Sequence, residues 1–248
     1  MHALRCGLLA FAIIAVPGAQ AIEPPLSDSR LTVHTLVRED VFAGFMSNDL
    51  TRFARAERNI EALLEQRPSR RGNLLAWKGS TRLYRAVLAH EAGNAADARK
   101  LYNEARALFA DATATTTANE AVPAIVGGTL ATFADRLPEE DRAAAWSGAY
   151  DNYSVLFKQQ EPALDKMPAH FRGEVLSGLA QAAQRTGRAG EASQRIDQML
   201  VMLQNTRYES LARQWKSDPS AATASNLTCK TCHEPGRLSP TLERLNKP

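Results

Sequence analysis

From about Leu36 onward the apolar residues recur at helical spacing, soon in one pair of segments after another, and no convincing strand-type alternation interrupts them. Asn48-Asp49 opens a helix running to Gln66, with Phe53, Ala56, Ile60, Leu63 and Leu64 on one face and Pro68 as its stop. Gly72-Asn73 starts the next, which carries Leu75, Leu83, Val87 and Leu88 to a turn near Gly93. Asn94 begins its partner, with Ala98, Leu101, Tyr102, Ala105 and Leu108 on the inward side. Two more pairs follow, about Asn119 to Arg136 with Glu139 to Lys158, then Ala169 to Thr186 with Ala189 to Gln204. Thr206 to Lys216 closes the series as a short helix. A chain patterned this way is expected to be all-α.

The pairs share their offsets, the mark of an internal repeat. Gly93 is followed by Ala98, Tyr102 and Ala105, and Gly187 by Ala192 and Ile196. Ala56 is followed by Ile60 and, twelve residues after the alanine, by Pro68. Small residues are needed because antiparallel helices approach closely only where a side chain is little more than a methyl group. These positions resemble the tetratricopeptide repeat, as do Leu179 and Ala180 on a first helix. The resemblance implies a stack of hairpins over residues 37–217 whose concave face binds a peptide or a partner protein. Arg82 and Arg85 depart from it, standing where that family has apolar groups. The period, about 42 to 47 residues, also exceeds the roughly 34 of the family. Generic helical hairpins are the alternative.

The N-terminus reads as a secretory leader over residues 1–21. Arg5 supplies the basic start, Cys6 to Val16 the apolar core, and Ala19-Gln20-Ala21 the small residues of a cleavage site. Eleven apolar residues fall well short of the twenty or so that span a bilayer. Removing the leader takes away Arg5 alone and leaves 29 basic against 27 acidic residues, a net charge of +2. That balance gives no electrostatic case for nucleic acid or an anionic membrane. The expected location is the periplasm or outside the cell. Residues 22–36, with Pro24-Pro25, read as an extended N-terminal segment.

Beyond a small-residue linker at 218–226, the segment 227–248 contains Cys229-Lys230-Thr231-Cys232-His233. The order Cys-x-x-Cys-His is the attachment signal of a c-type haem. Each thiol adds to one vinyl group, and His233 then presents its imidazole to the iron as proximal ligand. Cys229 and Cys232 are the only cysteines after leader removal, so one covalent haem per chain is expected. Export agrees with this, because an oxidising compartment would otherwise leave the two thiols open to disulfide formation. Zinc is a poorer fit, with three adjacent donors where four are wanted. A thioredoxin-type pair would need a sheet that this segment lacks.

The stretch after His233 resembles the start of a class I cytochrome c, in which a proline accepts a hydrogen bond from the proximal histidine. That resemblance assigns the acceptor to Pro240 or Pro235. It covers roughly fifteen to twenty residues, with no room before Pro248 for that family's later helices and methionine ligand. The haem is therefore expected to dock on the helical array, on a partner or on another copy. Placement near the C-terminus is similar to cytochrome c prime, whose iron is five-coordinate.

For the sixth iron site, His90 and His170 are weighed against ordinary surface histidines, and Met199 and Met202 against core filling; none can be named. Trp77, Trp146 and Trp215 are expected to be core, with Trp215 also placed to cover the porphyrin. The leading function is electron transfer by an exported single-haem cytochrome whose repeats dock a redox partner. The alternatives are a five-coordinate haem protein that binds or reduces a small molecule, and a scaffold without haem. No catalytic residue is identified.

Overall fold

The computed structural model describes residues 25–115 and 121–224. The leader and the segment with Cys229, Cys232 and His233 lie outside the described residues. Within them the protein is all-α, and its ten α-helices are joined by short turns and 3-10 segments. They are α1 (Val33–Ser47), α2 (Leu50–Gln66), α3 (Arg71–Glu91), α4 (Ala95–Thr115) and α5 (Val122–Phe133). Then come α6 (Glu139–Gln160), α7 (Ala169–Arg185), α8 (Ala189–Met202), α9 (Arg207–Ser217) and α10 (Pro219–Ala224). No described helix is long and apolar enough to cross a membrane.

Successive helices pack as four antiparallel hairpins, α1 with α2, α3 with α4, α5 with α6 and α7 with α8. Two turns share one device. Gly93 (φ 77°) and Gly187 (φ 76°) are left-handed. Each lets the following residue reach back, Asn94 N–H to the carbonyl of Ala89 and Arg188 N–H to that of Ala183. This is the Schellman closure that stops a helix and satisfies its last carbonyls. Asn48 (φ 52°) is also left-handed after α1 but makes a wider closure, its own N–H donating to Gly44 and the Asp49 N–H to Ala43. The equivalence of Gly93 and Gly187 is the repeat signal seen in the sequence, and the arrangement is compatible with tetratricopeptide-like stacking.

Glycines on the first helix of a pair admit aromatic rings from a neighbour. A β-carbon on Gly79 would meet the Phe109 ring of α4 at 2.6 Å, and one on Gly178 would overlap the Tyr153 ring of α6. Gly44 receives Phe53 and Gly173 receives Tyr208 in the same way. The first helices also touch one another in order, α1 to α3, α3 to α5, α5 to α7 and α7 to α9, forming one layer.

Arg82 and Arg85, the departures from the family pattern, have a physical explanation. Both guanidinium groups bind Glu57 on α2, Arg82 also reaches Glu104 on α4, and Arg85 lies over the Phe53 ring at 5.1 Å. They lay their stems along the core while joining three helices through ion pairs at its edge. Asp40 plays a similar part, holding Arg52 at 2.8 Å and Arg55 at 2.5 Å across the first hairpin.

Two boundaries differ from expectation. α1 begins at Val33, inside the segment read as extended, because Thr32 caps it and Leu31, Val33 and Leu36 are buried. The stretch read as a linker forms α10, with Pro219 in its first turn and Asp218 accepting from the Ser220 N–H. Small residues made it look like a linker; Ala222 instead packs into the core, and the helix lies on α7 and α9.

Gly178→Ala should lower stability, since about 1–3 kcal/mol of overpacking exceeds roughly 1 kcal/mol gained in helix propensity. Gly190→Ala, where nothing lies within 4 Å, should instead raise it by up to about 1 kcal/mol. Urea unfolding of the two variants beside the parent checks the opposite signs.

Candidate functional site

α1 and α7 are separated in the layer by α3 and α5, yet all four line one cavity, so the layer curls and its inner face is concave. The cavity has a volume of about 450 Å³, within the roughly 300–1,000 Å³ range of ligand pockets. Its walls are largely apolar: Phe42 and Phe45 from α1, Trp77 from α3, Ile125 from α5, Leu156 from α6, and Phe171 and Val175 from α7. Tyr153, the ring that fills the notch at Gly178, forms another part of the wall.

Polar groups gather on the α1 side. The Trp77 indole N–H donates to Nδ1 of His34 at 3.0 Å. An indole nitrogen is only ever a donor, so Nδ1 must carry a lone pair and the neutral ring keeps its proton on Nε2. Burial, then the charges of Arg38 and Arg70, pull the His34 pKa from 6.5 down to about 4. His34 at neutral pH is thus an uncharged donor in a corner of positive potential. Arg38, Thr32 and Thr35 line the cavity beside it, while Glu174 and His170 belong to the α7 side.

The Asn73 side chain accepts from the Ala121 N–H at 3.1 Å and so anchors the start of α5 to α3. A buried bond between the Ser80 and Thr129 hydroxyls, 2.8 Å, ties the same two helices under the cavity floor.

The sequence-derived candidates separate clearly. Cys229, Cys232 and His233 lie outside the described residues. His170 is exposed on the cavity wall, whereas His90 stands near the far end of α3, roughly 20 Å along that helix from Trp77. Met199 is completely buried in the core, which removes it as a surface ligand, and Met202 is partly buried against the same core. Trp77 and Trp146 are core residues, as expected. Trp215 is fully buried in the core, so it is a packing residue and has no open face to lay over a porphyrin. The His34–Trp77 pair was missed by sequence reasoning because its members lie 43 residues apart and neither belongs to a motif.

Against known proteins, the chain matches no family model, no curated protein and no solved structure.

The His34 shift has a pH consequence. The unfolded histidine protonates near its ordinary 6.5 and the folded one near 4, so below pH 6.5 the unfolded chain binds the extra proton. The stabilisation is fully present above 6.5 and is lost as the pH falls toward 4, up to ~3 kcal/mol in all. Urea midpoints between pH 7 and pH 5 should fall in the parent protein, and His34→Leu should flatten that slope.

Proposed function

We propose that the chain is an exported c-type cytochrome carrying one haem through Cys229 and Cys232, with His233 as proximal ligand and a tetratricopeptide-like scaffold that docks a redox partner. The observation that carries this reading is the Cys229-Lys230-Thr231-Cys232-His233 order, with an apolar leader at the other end of the chain.

The covalent haem would supply a one-electron couple. What the polypeptide contributes is attachment and surroundings. Cys229 and Cys232 would tie the porphyrin to the tail, His233 would ligate the iron, and Pro240 or Pro235 would orient its ring. The scaffold offers a curved inner face with an apolar cavity, the kind of surface on which stacked hairpins hold peptides and partner proteins. Nothing in such a role needs a general acid or base, only a haem edge held near a partner and shielded enough to set its potential.

Intact mass of the protein exported from a host with haem-attachment machinery should show one added haem, with a reduced-minus-oxidised spectrum that is low-spin in both states. Cys232→Ala should remove one of the two thioether links and weaken or abolish retention of the pigment under denaturing conditions. A high-spin spectrum that shifts under carbon monoxide would instead support a ligand-binding haem protein. A colourless product with free or mutually bonded thiols would overturn the haem reading.

A further inference from the structure

A second cleft lies beside the cavity just described, with Thr32, His34 and Ala121 lining both. We infer that this cleft binds a small hydroxylated organic anion, its carboxylate or phosphate head held in the field of Arg67 and Arg70.

The cleft is built where the segment ahead of α1 crosses the corner between α2 and α3. Arg67, which caps the end of α2, reaches across it. Its Nη1 donates to the Leu31 carbonyl at 2.6 Å, and its Nη2 to those of Leu26 and Asp28 at 2.7 and 2.8 Å. One part-buried guanidinium thus fixes the wall in place ahead of any ligand.

The charge of the cleft follows from how its arginines are spent. Arg30 pairs with Asp28 at 2.6 Å and holds that carboxyl down at about 2, so these two charges cancel. Arg67 is answered by carbonyls, which satisfy N–H groups and leave its positive charge standing. Arg70 forms no ion pair or side-chain hydrogen bond among the described residues. It lies near enough to His34 to add, after burial and Arg38, to the lowering of that ring's pKa. His34 is therefore neutral at pH 7, and the described residues that line the cleft include no carboxylate. A concave wall of one sign of charge concentrates counter-ions, and the planar fork of arginine matches the paired oxygens of a carboxylate or phosphate.

Size and lining set the rest of the ligand. A volume of about 650 Å³ is far more than an inorganic oxyanion fills and lies in the range of sites for organic ligands. Ser27, Ser29, Gln66 and Ser69 line the cleft with side chains that make no hydrogen bond among the described residues. Hydroxyl groups on the ligand engage them as donors and as acceptors.

The test is calorimetric titration of the full exported chain at fixed ionic strength with gluconate, glucose 6-phosphate and, as the neutral control, glucose. The two anions share a hydroxylated body and differ in the head group. Binding of either anion or both, with glucose silent, supports the site and names the head. Arg70→Gln should then weaken binding about tenfold, the worth of a charge-assisted hydrogen bond. Arg71→Gln removes the same charge one residue along, on an exposed side chain outside the cleft, and should change affinity by less than about twofold. Hydrogen exchange read by mass spectrometry should slow in 26–34 and 66–73 on saturation and stay unchanged in α8, and circular dichroism checks that both variants are folded.

Heat from neither anion overturns the inference. Glucose binding as tightly as the anions overturns the role given to Arg67 and Arg70. Equal losses in the two variants, or protection elsewhere in the chain, would reduce the effect to general surface charge and overturn the site.

Discussion

The close approach of helices at glycines governs this architecture. Where Gly79 faces Phe109, or Gly178 faces Tyr153, an aromatic ring from one helix enters the space a side chain would have taken on the other. The ring thereby buries its full area at an interhelical distance that any larger residue would forbid. α1, α3 and α7 each carry such a notch: those on α1 and α3 join the two helices of a hairpin, and those on α7 join it to α6 and α9 of the neighbouring units. The chain has few aromatic residues, 6% of its length, and it concentrates several of them at these points. Phe53 and Tyr84 also pack beside Phe45 and Phe133, which extends one notch into a cluster spanning α1, α2, α3 and the end of α5.

Arginine finishes what the rings begin. Arg85 covers Phe53, Arg185 covers Trp146, Arg188 covers Tyr150 and Arg195 covers Phe157, with guanidinium carbons 4.1 to 5.1 Å from the ring centres. A weakly hydrated planar cation suits this position, since it shields an aromatic face while staying in contact with water and with carboxylates. Trp146 also donates its indole N–H to Asp135, which in turn pairs with Arg185, so ring, acid and base form one closed set between α6 and α7.

Much of the fold was legible because it is built from local rules. The Gly93 and Gly187 turns, the Asp49 cap and the Pro68 stop act within a few residues, and a helical period shows itself in any window of apolar residues. The α10 helix escaped because alanine and serine read equally well as a linker when their packing partners on α7 and α9 are unknown. The cavity was less legible still. It is assembled from five helices, and its polar corner depends on a bond between His34 and Trp77 that no local spacing announces. Conversely, the haem-attachment motif is wholly local, five consecutive residues, which is why it can be read without any knowledge of the scaffold.

The curl of the inner layer has a mechanical side. In a stack of hairpins each interface contributes a small rotation, and these rotations add along the chain. The gap spanned by Phe42 at one end and Val175 at the other is where the sum is felt. The molecule is in this sense a short spring whose jaws are the cavity walls. The Gly178–Tyr153 notch sets the spacing of α6 and α7, and both helices line the cavity, so the packing of that one ring against a bare backbone also fixes how wide those jaws stand.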